Sequence, residues 1–551
     1  MVDNYFIADQ FTLLAKLMDI HGENSFKSKS YSIAAFNIEK LPVQLSSLPP
    51  AELFALKGIG ESTGKKVVEI INTGKLGVLE NMVASTPPGI LDMLHIKGIG
   101  PKKINTIWKE MQLESLGELL YACDENRLLL YKGFGAKTQQ NVKEAIEFYL
   151  SNRESFLYAE VETFANQVNE MLKKSFPAYL ISLTGEFRRQ SEIINQVDWV
   201  TTIPQTDLTA FLEANDFNLQ DKQPPWVSFM GQQHIKLSFL FTEQSDFYRQ
   251  LFETSCSAEF LVEWKNRFGI NTYSTEEEYF SVANVTFIPS ARREDPEVIN
   301  RPAVSLIQPS DIKAIIHSHS NWSDGSNTLE EMARACIDQG FEYLVISDHS
   351  KSAFYANGLN EERIIAQHQH IEELNKKLAP FYIFKSIECD ILNDGNMDYS
   401  DDILASFDLV IASVHSNLKM TEEKAMARLI RAIENPYTTI LGHMTGRLLL
   451  SRKGFPVDHS KIIDACKAND VVIELNAHPR RLDMDWRFIQ QALDKEVMIS
   501  IDPDAHAIDG FHDVRYGVLA AQKGGLTPDM NLSSFSLSEF SDFLMHKRSS
   551  Q

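Results

Sequence analysis

The chain has 551 residues, 44% hydrophobic and 23% charged, with 53 Lys and Arg against 75 Asp and Glu for a net charge of −22. At about 150 residues per domain this length predicts three to five domains, and the composition excludes a disordered or fibrous chain. A uniformly basic nucleic-acid coat is excluded as well, but residues 1–150 carry 16 basic and 17 acidic side chains against 37 and 58 in the remainder, so the first quarter is the part least repelled by a polyanion. Cys123, Cys256, Cys336, Cys389 and Cys466 form no CxxC pair, which argues against a disulfide framework or thiolate zinc site and fits a reducing, cytoplasmic compartment. The acidic start MVDNYFIADQ lacks the basic region of a signal peptide, and no apolar run of ~18 residues occurs, so neither export nor a membrane contact is expected.

Residues 1–150 read as helices separated by glycine turns, with apolar positions at helical spacing in Phe11–Met18. A repeat lies within them: KGIG at 57–60, KGIG at 97–100 and KGFG at 132–135. A GxG between two helices turns the backbone tightly and leaves amides of the following helix free to hold a phosphate. The glycines of the three turns are Gly58 and Gly60, Gly98 and Gly100, Gly133 and Gly135; the lysines behind them are Lys65 and Lys66, Lys102 and Lys103, and Lys137. Such contacts grip the DNA backbone without reading sequence, and the pattern is that of helix-hairpin-helix modules.

Residues 151–300 mix helices with strand-like runs at 179–183 and 235–241, and a proline-bearing stretch with Pro296, Pro302 and Pro309 reads as a linker. From Ile312 on, strand and helix alternate. Candidate strands are 314–316, 343–346, 382–384, 409–414, 439–441, 471–475 and 497–501, which predicts a parallel barrel. Six of the seven are followed by metal-binding residue types: His317, His319 and Asp324; Asp348 and His349; Glu388; His415; His443; Asp504 and His506. In a parallel barrel the carboxyl ends of the strands converge on one face, so these residues meet. Mixed imidazole and carboxylate suits Mn²⁺, Zn²⁺ or Fe²⁺.

The segment Gly22–Ala35 with its hairpins, Glu276–Phe280 and Ile288–Glu294 are similar to bacterial X-family DNA polymerases, and the likeness runs from about Gly22 to Gly525. It implies an all-α helix-hairpin-helix domain (1–80), helix-hairpin-helix fingers (81–150), an α+β nucleotidyltransferase-like palm (151–240), a thumb (241–295), a linker (296–311) and a distorted seven-stranded TIM-like barrel (312–551), the PHP (polymerase and histidinol phosphatase) domain. Lys66 falls where a eukaryotic relative places the Schiff-base lysine of a deoxyribose-phosphate lyase; the other reading is a lysine that grips phosphate.

The family's palm motif aligns with Gly185–Asp198, keeping Gly185, Arg188, Arg189, Glu192 and Asp198, with the two arginines placed among the DNA-contacting residues. Gln196 replaces the first of its two aspartates, Glu186 its serine, and Lys236 stands where a third carboxylate is expected; the nucleotide-gripping turn becomes Thr254–Cys256. Hard cations need oxygen ligands, so with Asp198 the one remaining carboxylate, Mg²⁺ binding at the palm and templated polymerisation are expected to be lost.

The PHP resemblance, by contrast, carries its whole ligand set onto His317, His319, Asp324, His349, Glu388, His415, His443, Asp504 and His506. It implies three divalent ions, with Glu388 bridging two and Asp324, His349 and His506 holding the third. Arg447 and Arg481 are candidate phosphate clamps, or salt-bridge partners at the barrel rim.

The reading is a monomeric bacterial repair enzyme that trims 3′ ends of gapped or nicked DNA as a 3′–5′ exonuclease, with 3′-phosphatase or abasic-site cleavage as related activities, in base excision repair. The alternatives are a working gap-filling polymerase with proofreading, a small-molecule phosphatase acting on a compound like histidinol phosphate, and a silent DNA-binding scaffold.

Overall fold

The computed structural model describes residues 4–39, 41, 43–54, 56, 59–150, 155–231 and 235–549. The chain divides into two compact units, residues 1–123 with 131–150, and residues 124–130 with 151–551.

The first unit is built of helices, as the apolar spacing predicts. Helix Asn4–His21 buries Ile7, Phe11, Leu14, Leu17 and Met18 and sets Phe11 against Tyr31, ring centroids 5.7 Å apart. Each glycine turn opens a helix: Gly60 precedes Glu61–Thr73, Gly100 precedes Pro101–Asn105 and Gly135 precedes Ala136–Leu150. Gly98 and Gly133 hold φ at 97° and 96°, where a side chain would be strained. Gly58 lies outside the described residues.

In the second unit, a five-stranded sheet forms the palm region: β1 (Ile181–Thr184), β2 (Gln196–Thr201), β3 (Asn218–Gln223), β4 (Trp226–Met230) and β5 (Lys236–Phe241), in the order β1-β2-β5-β4-β3. β2 and β5 run parallel, with Gln196 opposite Lys236 and Asp198 opposite Ser238. Val197, Trp199, Leu237 and Phe239 belong to the core of this sheet. Strand alternation therefore sends Gln196, Asp198 and Lys236 together to the opposite face.

Behind the sheet, Phe252, Phe260, Trp264, Tyr279 and Phe280 form an aromatic core. Beside it Glu276 is buried between Arg188 and Arg293, each 2.6 Å away. Arg189 reaches Glu294 and the carbonyls of Thr254 and Cys256. Arg188 and Arg189, expected among the DNA contacts, thus brace the palm sheet against the segment carrying Glu276 and Glu294, with guanidinium donors engaged within the protein. Burial alone would raise the Glu276 carboxyl, but the arginines hold it at about 2, below the ordinary 4.5. A group depressed in this way stabilises the fold above its unfolded value and ceases to do so as pH falls through the folded one. Glu276→Gln is expected to cost about 3–5 kcal/mol at neutral pH and to flatten the loss of stability between pH 4.5 and 2, read by urea unfolding across that range.

The stretch read as a linker is exposed over residues 301–305 but anchored on both sides of that run. Val298 and Ile299 join the aromatic core and Ile307 the barrel core, while Arg301 pairs with Asp494 at 2.9 Å. Pro296 and Pro309 begin short 3₁₀ turns, where the fixed φ of proline suits the first position, while Pro302 lies in the exposed run.

The barrel strands are β6 (Ala314–Ile315), β7 (Tyr343–Ile346), β8 (Tyr382–Asp390), β9 (Leu409–Ser413), β10 (Ile440–Leu441), β11 (Val472–Asn476) and β12 (Ile499–Asp502), all parallel and paired in chain order. A bridge between Ser318 and Ala505 joins the two ends, nearly closing the barrel. β8 is longer than predicted because it changes partner along its length, pairing with β7 over 382–385 and with β9 over 386–390, so Glu388 lies inside the strand and not after it. Tyr343, Val345, Phe384, Leu409, Ile411 and Val472 cluster with Phe540 and Leu544 of helix Leu537–Ser549. The same strand faces then turn polar toward the carboxyl ends, with Glu388 in line with Phe384, Ser413 with Ile411, and Glu474 with Val472. Palm and barrel are tied by Glu192, 2.6 Å from Arg447, and by Lys523, whose buried ammonium donates to the Arg189 carbonyl at 2.6 Å.

Candidate metal centre

The nine predicted ligands gather at the carboxyl end of the barrel, each buried or nearly so. Three overlapping groups bring their ligand atoms within 4.8 Å of one another: His319, Asp324, His349 and His506; His317, His319, Glu388 and Asp504; His349, Glu388 and His415. Glu388 sits in two groups, and Asp324, His349 and His506 share one with His319. His443 falls in none of the three, although its Nε2 lies 3.0 Å from Glu388 Oε1.

The donor set fits divalent ions on a second count. Among the buried polar atoms without a hydrogen-bond partner are His317 Nε2, both oxygens of Asp324, His349 Nδ1, Glu388 Oε2 and His506 Nε2. His349 Nδ1 and Glu388 Oε2 lie 2.9 Å apart but outside hydrogen-bonding geometry. Buried lone pairs left unpaired in such number are costly unless a cation takes them. His317 and Asp504 also hold φ at 57° and 52°; non-glycine residues in the left-handed region are strained, and such strain gathers at functional sites.

Behind the ligands stands a supporting layer of Glu474, Asp390 and Asp348, of which the first two escaped the sequence reading. Glu474 Oε1 is 2.7 Å from His317 Nδ1, and its other oxygen accepts from the His443 amide. Asp390 Oδ1 is 2.9 Å from His415 Nδ1, leaving His415 Nε2 toward Glu388. Asp348 accepts from Ser320, Ser323 and Gln367, which fixes the loop carrying Asp324. A carboxylate behind an imidazole sets its tautomer and orientation. The signal that could have found them is an acid in an apolar strand, Glu474 in VVIELN and Asp390 two residues after Glu388 in IECDI. Burial alone would lower the His317 imidazole, but the carboxylates of Glu474, Asp504 and Glu388 hold it well above the usual range. Glu388 is held well below the usual range against its own burial, by His415, His317 and His349.

The two candidate phosphate arginines part company. Arg447 is bound to Glu192, Asp485 and the carbonyls of Arg481 and Leu482, which makes it a strut between palm and barrel, the salt-bridge alternative of its two readings and not the phosphate clamp. Arg481 stays at the cluster, with Nε 3.8 Å from Asp504. In the palm, Gln196 Nε2 donates to Asp198 Oδ1 at 2.7 Å. Burial pushes the Asp198 carboxyl up to about 7; the Gln196 bond opposes this and Glu186 adds to it. Among the described residues no metal-binding group of three includes Asp198.

In the hairpins, Lys102 and Lys137 are exposed, Lys103 donates to the Gly98 carbonyl at 3.2 Å, and Lys65 pairs with Glu61 at 2.7 Å. Lys66 is half-buried, 3.5 Å from Ser62 Oγ and 5.7 Å from the Tyr31 ring centre. The glycines Gly60, Gly98, Gly100, Gly133 and Gly135 face open space, which lets a phosphate backbone approach. Replacing Lys102 and Lys103 by alanine is expected to weaken binding of gapped DNA alike for every sequence and to flatten the log K against log salt slope by about 2, measured by fluorescence anisotropy. Among the described residues no helix is long and apolar enough to cross a membrane, and the five cysteines are buried and form no disulfide.

Residues 2–76 match the helix-hairpin-helix domain family, residues 90–147 the SAM-like helix-hairpin-helix tandem, and residues 316–478 the PHP domain. The DNA polymerase/3′-5′ exonuclease PolX of Bacillus subtilis (strain 168) is 31% identical over 96% of this chain and 97% of its own length. A probable phosphatase of Thermoanaerobacter sp. (strain X514) is 24% identical over 43% of this chain and 97% of its own, and one of Acetivibrio thermocellus 30% identical over 29% and 64%.

Proposed function

The chain belongs to the PolX family, the bacterial X-family DNA polymerases with a C-terminal PHP domain, and from that membership we propose that it works mainly as a metal-dependent 3′–5′ exonuclease on gapped or nicked DNA, in repair, with templated polymerisation lost. The observation that carries this reading is the contrast between two sites. The barrel keeps a full set of buried imidazole and carboxylate donors, whereas the palm face presents Gln196, Asp198 and Lys236.

His317, His319, Asp324, His349, Glu388, His415, His443, Asp504 and His506 would hold three ions, Mn²⁺, Zn²⁺ or Fe²⁺ by their donor types. What such ions supply when bound is a water activated near neutral pH and neutralisation of charge on the phosphoryl transition state. The chain itself contributes the rest. Glu388 links two donor groups, Glu474 and Asp390 fix which nitrogen His317 and His415 present, and Arg481 offers a guanidinium to a phosphate oxygen. No side-chain nucleophile is required; Cys389, next to Glu388, is driven up by burial and stays a thiol. The hairpins hold the duplex through backbone amides and lysines, giving an acidic protein its affinity for DNA without sequence choice. Lyase chemistry at Lys66 has less behind it, because an amine nucleophile needs deeper burial or closer cations.

The name of the Bacillus relative includes polymerase activity, so gap filling is the second reading. Both are tested with labelled gapped DNA, each divalent ion in turn, and nucleotides added or withheld. The expected result is 3′ shortening that needs the ion, no extension, and no change on Asp198→Ala. Nucleotide incorporation abolished by Asp198→Ala would overturn the loss of polymerisation. A purely small-molecule phosphatase would leave the DNA intact and would not be inhibited by it.

A further inference from the structure

Residues 124–130 are counted with the barrel although they precede it by nearly 200 positions, and they meet the mouth of the metal centre. Asn126 Nδ2 lies 2.8 Å from Ser326 Oγ and 3.5 Å from the carbonyl of Asp324. The Arg127 guanidinium stands over the Tyr355 ring at 4.6 Å. Between them Glu125 is 8% exposed, its carboxylate 3.6 Å from Arg127 and 3.9 Å from Arg481 Nη2. The same Arg481 is 3.8 Å from Asp504. Glu125 belongs to none of the donor groups and to no position of the family's ligand pattern. Its charge nevertheless reaches the site: burial would raise its carboxyl, yet His506, Arg127 and Arg481 together hold it low, and Glu125 in turn adds to the raising of Asp324.

Resting on the phosphodiesterase reading above, we propose that Glu125 is a specificity-determining residue that selects phosphodiesters over phosphomonoesters. An anion that uses Arg481 must share that guanidinium with Asp504 and Glu125. A diester brings one negative charge, whereas a monoester brings between about 1.5 and 2 at pH 7. A fixed, buried carboxylate beside the seat therefore penalises the extra charge of the monoester, in surroundings where water screens little. The diester, with roughly half that charge, is penalised about half as much. The inference thus ties a segment from the hairpin region to substrate choice in the barrel, as negative selection by a misplaced charge.

The test compares Glu125→Gln, which keeps shape and removes charge, with Glu125→Asp, which keeps charge, in the full-length metal-loaded protein. Folding and ion content are checked by thermal melting and elemental analysis. Hydrolysis of p-nitrophenyl phosphate and bis-p-nitrophenyl phosphate is measured at pH 8, together with calorimetric binding of inorganic phosphate. Glu125→Gln should raise the monoester-to-diester ratio of kcat/KM about tenfold and tighten phosphate binding by a similar factor, while Glu125→Asp stays near the parent. An unchanged ratio with unchanged phosphate affinity, or an equal loss on both substrates, would overturn the proposal. If the parent hydrolysed neither ester, the phosphodiesterase reading would fail on its own, and the phosphate affinities would still decide the role of Glu125.

Discussion

Glu388→Ala is expected to lower 3′ trimming of gapped DNA by about three orders of magnitude while leaving DNA affinity unchanged. The carboxylate lies within 3.3 Å of His317, 2.9 Å of His349 and His415, and 3.0 Å of His443, so four imidazoles converge on it. It also belongs to two of the three donor groups, so its removal should lower ion content by more than one per chain. Metal ions contribute several kcal/mol of charge stabilisation to phosphoryl transfer, and at about 1.4 kcal/mol per tenfold that sets the size of the loss. Elemental analysis checks the ion content, a labelled-strand assay the trimming, and anisotropy the DNA affinity. A variant with parental ion content and parental trimming would refute the assignment of the centre. Restoration by excess Mn²⁺ is not expected, since no neighbouring acid can replace a carboxylate shared by two groups.

What was legible in the sequence follows from which physical constraints are local. The hairpins were legible because a glycine at positive φ and a lysine after it sit within a few residues of each other, as at Gly98 and Lys102. The barrel was legible because a parallel strand buried on both faces is a short apolar run, and the ligands because they follow those runs in step. The palm positions Gln196, Asp198 and Lys236 were readable only through the resemblance to the family's motif; that the three share one face comes from the register of β2 against β5. Partnership across distance was not legible. Arg188, Arg189 and Arg447 look like phosphate contacts in a linear motif, and only the fold shows Glu276, Glu294 and Glu192 arriving to neutralise them. The span of β8 depends on its change of partner, which no local pattern records. Glu125 lies in an unremarked turn after a helix, and nothing near it in sequence points to the barrel.

The same limit hid Glu474, and the second large effect is expected there. Its two oxygens are both committed, one to His317 Nδ1 and one to the His443 amide, and Gly442 leaves it room: a Cβ there would come within 3.1 Å of Glu474 Oε2. Glu474→Gln keeps the volume but turns one oxygen into a donor, which must face either the His443 N–H or the His317 nitrogen. If it faces the amide, two donors meet in a buried place, at about 1–3 kcal/mol. If it faces His317, the ring loses the acceptor that directs Nε2 toward Glu388 and Asp504. Outer carboxylates of this kind are worth about 10–100-fold in ion affinity or activity. The expected signature therefore differs from that of Glu388→Ala: the Mn²⁺ concentration for half-maximal trimming rises by that factor, and saturating Mn²⁺ restores most of kcat. Combining it with His317→Ala should add little to His317→Ala alone, because the two residues act through one nitrogen. Equal Mn²⁺ titrations for parent and Glu474→Gln, or a loss that saturating Mn²⁺ does not relieve, would show that Glu474 does something other than hold His317 in place.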